Sequence, residues 1–248
     1  MGLKDMLFGS GRAKTRIEKL TKRVTNQYAQ SVDRYGAMED LIKLGEAEDE
    51  AKSVEAYVAL LQRFTMNASK SIDDEEEKGW LYNRMSAIGK PLLPALERFC
   101  RESESIAWAL RILEDVANER EEWQIIDALI EAHPPEYERD NSAKRQMLTH
   151  IKEIDDPRVR EILARYLRDP DEDIRFFCIE ALIDNGERES LPALIEYLEK
   201  SEGESVRLRT RILDGLSDLG WDLSDHAQLI RTVVRDEHSF DGTKLSRR

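Results

Sequence analysis

At 248 residues the chain is long for one compact helical domain and well suited to a stack of short units. A hydrophobic content of 40% excludes disorder, and 36% charged residues suit slender helices with one wet side each. The net charge of −13 divides into +5 over residues 1–32 and −18 over the rest, which argues against general nucleic-acid binding beyond residue 32.

In chain order, residues 1–32 form a basic arm and helix distinct from the rest of the chain. Leu3, Met6 and Leu7 share one helical face with Phe8 beside them, and Gly9, Ser10 and Gly11 offer a hinge. A basic helix comes next, carrying Ile17, Leu20 and Val24 at intervals of three and four. Two readings fit: a capping helix that covers the first repeat, or an arm that docks on a partner helix or contacts an anionic membrane through residues 1–24. Gly2 does not make a myristoylation motif, because Met6 stands where Ser or Thr is needed.

Residues 33–235 read as one domain of helical hairpins. The first ends at Gly45, preceded by Arg34, Ala37, Leu41 and Leu44; the second ends at Gly89, preceded by Lys78, Leu81, Met85 and Ile88. Asp73 to Glu77 open this second unit and read as a solvated helix start, where carboxylates suit the helix dipole. Weaker copies end at Asn118 and Asp155, residues that tolerate a left-handed turn. The clearest copy runs from Asp169 to Lys200. Asp171 or Asp173 caps a helix bearing Ile174, Phe177, Cys178, Ala181 and Leu182, Gly186 ends it, and a second helix presents Leu191, Leu194, Ile195 and Leu198 after Pro192 in its first turn. A last copy ends at Gly220. The turn positions 45, 89, 118, 155, 186 and 220 are spaced 44, 29, 37, 31 and 34 apart, periods that mean a solenoid. Residues 236–248 form a C-terminal tail, of which Ser239 to Arg248 has little apolar content and is expected to fray.

The basic position, the small or apolar residues after it, the glycine-ended turn and the run from Leu191 to Leu198 resemble HEAT repeats, including the short form of phycobilin-lyase-like proteins. The resemblance spans about residues 33–235 and is most specific over 142–220. It implies an all-α, armadillo-like fold: a right-handed α–α superhelix of about six hairpins, with an N-terminal helix that caps or docks. It also implies a non-enzymatic scaffold or adaptor for partner proteins, with a DNA glycosylase-like or chromophore lyase-like enzyme as the lesser alternative.

The basic residue recurs as Arg34, Lys78, Lys144, Arg175 and Arg209. It reads first as an internal ladder paired with acids of adjacent turns, such as Asp171, Asp173 or Glu204. The alternative is a cationic stripe for an acidic partner. On that view the partner-binding residues are Arg145, Arg175, Arg207 and Arg211, together with Leu3, Met6, Leu7 and Phe8 of the arm. Trp80, Trp108, Trp123 and Trp221 fall on or beside apolar stripes and read as packing residues. His133, His150, His226 and His238 lie far apart, and Asp169 to Asp173 lacks the glycine of a calcium loop, so neither metal nor cofactor is expected. Cys100 and Cys178, among apolar neighbours, read as reduced core residues. With no apolar run near the ~18–20 residues of a membrane span, a cytoplasmic protein is expected.

Overall fold

A computed structural model describes residues 15–47, 49–200 and 205–248. Leu3, Met6, Leu7, Phe8 and Glu204 lie outside the described residues. The described residues hold 13 helices: α1 (residues 15–24) and then six pairs. These are α2 (Ser31–Gly45) with α3 (Glu50–Leu61), α4 (Ser71–Ile88) with α5 (Leu93–Glu102), and α6 (Ala107–Val116) with α7 (Glu119–Ala132). They continue with α8 (Ser142–Ile151) and α9 (Arg158–Tyr166), α10 (Glu172–Asp184) and α11 (Leu191–Lys200), and α12 (Val206–Leu219) and α13 (Ala227–Val233). No helix among the described residues is long and apolar enough to cross a membrane.

The chain divides into two compact units, one up to Ala132 and one from His133, where the sequence reads as a single repeat domain. In the first unit, α3 packs on α5 and α5 on α7, while α2 packs on α4 and α4 on α6, so first and second helices form two layers. The interior is continuous and apolar: Met38, Leu41, Leu60, Leu81, Met85, Leu96, Ile112 and Leu129 are all fully buried. The apolar seam of α1 joins it, with Ile17, Leu20 and Val24 buried and Arg16 reaching Asp40 of α2. That seam is therefore occupied inside the fold, as the capping reading requires.

In the second unit, α10 packs against α9 and α12. Ile174, Cys178, Ala181 and Leu182 point inward from α10, and Leu191, Leu194, Ile195 and Leu198 from α11. The Asp171 side chain accepts the Ile174 N–H at 3.0 Å, and Gly186 takes a left-handed φ of 65° after the helix, as the sequence indicates.

Three features differ from the sequence reading. Gly89 and Gly220 share the positive φ, but Gly45, Asn118 and Asp155 do not, because no residue other than Gly89, Gly186, Gly220 and Gly242 has positive φ among the described residues. Gly45 stays helical, and a Cβ there would overlap the Tyr57 ring, so its smallness lets α3 approach α2. Asn118 begins a helix rather than ending one. Its Oδ1 accepts the Glu121 N–H at 3.0 Å while Glu121 Oε2 accepts the Asn118 N–H at 2.9 Å, a reciprocal capping box.

The C-terminal tail does not fray. His238–Phe240 pairs antiparallel with Leu245–Arg247, and the hairpin packs on α12. Leu245 is buried, His238 Nε2 lies 2.9 Å from Asp214, and Arg247 bridges Asp214 and Asp218. One buried leucine and charge pairing supply what apolar content did not. Finally, Asp73 to Glu77 is not uniformly solvated: Glu75 and Glu76 are exposed, but Asp74 and Glu77 are buried.

Candidate functional site

The recurring basic residues are largely consumed inside the fold. Arg34 is buried and donates through Nε and Nη2 to Glu77, at 2.8 and 2.7 Å. The same carboxylate accepts from Ser31 and from Arg63 on the turn after α3. Arg63 also reaches Asp74 at 2.7 Å, which in turn holds Lys78 at 2.8 Å. Burial by itself raises the Glu77 pKa, but donation from Arg34, Ser31 and Arg63 outweighs it and holds the carboxyl below its ordinary range. Asp74 is lowered likewise, burial being outweighed by Lys78, the Ala68 N–H and Arg63. In the second unit Lys144 is fully buried, 2.8 Å from Asp169 and 3.5 Å from Glu138. Arg34 and Lys144 thus each pair with an acid of the following hairpin, the ladder geometry.

Two surfaces hold chemistry that the ladder does not consume. On the first unit, Trp108 stacks on Phe64 at 5.2 Å and meets the Tyr82 edge at 5.9 Å. The Arg111 guanidinium lies over Tyr82 at 4.6 Å and over Trp108 at 5.5 Å. The Ser86 hydroxyl donates to Asp115 at 2.7 Å and the Tyr82 hydroxyl donates to it too, and this bond to Asp115 is the main cause of the raised Tyr82 pKa. Trp80 meets Tyr35 edge-on at 5.1 Å. The result is a half-exposed ledge of rings and guanidinium on α4 and α6.

On the second unit a groove of about 560 Å³ runs between α9 and α11, a volume typical of ligand-holding clefts. Ala164, Leu167, Pro170, Ala193 and Tyr197 supply its apolar wall. Arg165, Arg168, Arg175 and Lys200 bring positive charge, against Glu161, Glu196 and the buried Asp169 that Lys144 already holds. Arg168 reaches across from the end of α9 to Glu196 at 2.8 Å, and Lys200, one turn along α11, meets the same carboxylate. Lys200 and then Arg168 hold the Glu196 carboxyl below its ordinary range.

Of the partner-binding residues expected from sequence, Arg175 lines this groove, donating through Nη1 to the Asp169 and Pro170 carbonyls at 2.7 and 3.0 Å. Arg207 instead lies 4.0 Å over the Phe176 ring and pairs with Asp173 at 2.9 Å, and Arg211 pairs with Glu180 at 3.3 Å. Arg145 is exposed on α8. The structure therefore does not gather these residues into one site. Sequence reasoning passes over Arg165, Arg168, Glu196, Tyr197 and Lys200; the local signal that could have found any of them is the i, i+4 spacing of Glu196 and Lys200.

Trp123 is buried, whereas Trp80, Trp108 and Trp221 are half-buried. Both cysteines are free and buried, which pushes their thiols well up. Among the described residues no group of three or more His, Cys, Asp or Glu side chains could hold a metal ion.

Helices in sequential pairs, layered in the first unit, with glycine-ended turns and buried base–acid pairs, define the class: an α-helical repeat array. Residues 126–213, from α7 into α12 and across the groove, match the family model for HEAT repeats, and this stretch of the chain is a HEAT-repeat segment. Comparison with curated proteins and with solved structures finds no match.

Proposed function

We propose that the protein is a non-enzymatic interaction module, an adaptor that holds partner proteins on the surface of its repeats. HEAT repeats commonly serve as interaction scaffolds. The observation that carries the reading is the groove between α9 and α11, an open cleft with apolar walls and cationic edges inside the HEAT-matched segment. An adaptor needs more than one contact surface, and the ring-and-guanidinium ledge around Trp108 and Arg111 supplies a second of different chemistry. The setting we propose is cytoplasmic, in keeping with two free, buried cysteines.

Cross-linking of the full chain in its native cell extract, with the attachment points mapped by mass spectrometry, tests this function. The expected result is a saturable protein partner whose cross-links fall on repeat residues. The absence of any saturable protein partner, or cross-links confined to residues 1–14, would overturn it.

A further inference from the structure

We propose that the groove between α9 and α11 binds an acidic, extended peptide segment, and that Glu196 occupies the place of its carboxylate when the groove is empty. This rests on the interaction-module reading and names the chemistry of the partner. The geometry around Glu196 carries it. Arg168 and Lys200 come from different repeats, yet both converge on this one carboxylate, so the groove already displays how it grips such a group. The clamp is open to water. Arg168 is 73% exposed, Lys200 69% and Glu196 44%, so the internal pair is weak and exchanges readily for another carboxylate.

Arg165 lines the groove and is exposed, and Arg175 brings a fourth positive charge to its lining. Once Lys144 neutralises Asp169, the groove retains more positive than negative charge. A segment with carboxylates spaced along it would meet these cations, while its apolar side chains pack on Ala164, Ala193 and Tyr197.

The wider chain is strongly acidic, which decides between a peptide and a nucleic acid. Screening confines charge effects to about 8 Å at physiological ionic strength. A thin segment seated in the groove therefore feels mainly the local cations. A phosphate backbone extending past the groove would meet the acidic residues outside it.

The test uses the full chain and short fluorescein-labelled peptides of glutamate and leucine, with the glutamine counterpart and an oligothymidylate of matched charge as comparisons, read by anisotropy. The glutamate peptide is expected to bind, more weakly as salt rises, and the comparisons are not. Arg168→Glu with Lys200→Glu is expected to weaken binding about tenfold or more. Glu196→Gln is expected to tighten it severalfold, because it releases two cations; a defect in folding cannot mimic a gain. All three positions are exposed, so the melting temperature should stay unchanged. No binding by the wild-type chain, equal binding by the double variant, preference for the oligothymidylate, or unchanged or weaker binding by Glu196→Gln would each overturn the proposal. A saturable partner cross-linked elsewhere on the repeats would then leave the interaction module standing without its acidic segment.

Discussion

Glu77 shows how much one side chain can organise. It is fully buried and serves two guanidinium groups and a hydroxyl, so it fixes α2, the turn after α3 and the start of α4 together. Its replacement by glutamine keeps the shape but leaves Arg34 and Arg63 without a full counter-charge in a dry site. The expected loss is about 3 kcal/mol or more, because removing one partner of a buried pair strands the other. Urea unfolding at neutral pH checks it; a change of a few tenths would mean that water or rearranged groups solvate the arginines. The sign with acid is fixed by the lowered pKa values of Glu77 and Asp74. A carboxyl lowered in the folded state contributes stability that is complete above its unfolded pKa, about 4, and is lost as pH falls through the folded value. The urea midpoint should therefore be level from neutral pH to about 5 and drop below 4, with a shallower acid limb in Glu77→Gln. An acidic run at a helix start looks solvated in sequence. Yet Asp74, Lys78, Leu81 and Met85 follow the inward-facing helical spacing, so part of this network was legible in the period of the residues. The role of Arg63 was not, since it depends on the turn that aims the side chain back.

At the scale of elements, glycine carries opposite meanings that sequence does not separate. Gly89, Gly186 and Gly220 end or follow helices with positive φ, and the repeat register found them. Gly45 and Gly215 are helical and serve close approach: a Cβ on Gly45 would overlap the Tyr57 ring, and one on Gly215 the Ile183 side chain. Gly36 and Gly79 also lie within helices but face open space. Alanine at Gly36 or Gly79 should stabilise by about 0.5–1 kcal/mol through reduced backbone entropy of the unfolded chain and better helix propensity. Alanine at Gly45 or Gly215 should destabilise by about 1–3 kcal/mol through overpacking. Thermal unfolding of the four single variants decides the matter, and the same sign at all four would refute the assignment of close contacts. Apart from the i, i+4 pair Glu196 and Lys200, the groove lies beyond such local reading. Arg165 on α9 and Arg168 just past its end look like wet-face residues, and only the packing of two repeats sets them along one groove with Glu196 and Lys200.

At the scale of the whole molecule, the division after Ala132 has a consequence for folding. Repeat arrays draw stability from neighbour interfaces, and about three repeats are the least that bury a continuous core. The unit from His133 holds three helix pairs, α8 to α13, and meets that minimum. It also has a built end. The hairpin His238–Phe240 with Leu245–Arg247 covers α12, buries Leu245 and ties itself to Asp214 and Asp218. The sequence does not reveal this cover because two strands of three residues carry too few apolar positions for a period of two to show. A fragment spanning residues 133–248 should therefore fold alone, with strong helical circular dichroism and one cooperative thermal transition. Removal of residues 236–248 from that fragment should lower its melting temperature by several degrees, since the end of α12 then faces water and its acids lose Arg247 and His238. A fragment without helical signal would show that the second unit needs the first to fold. An unchanged melting temperature after the truncation would show that the hairpin rests on α12 without stabilising it.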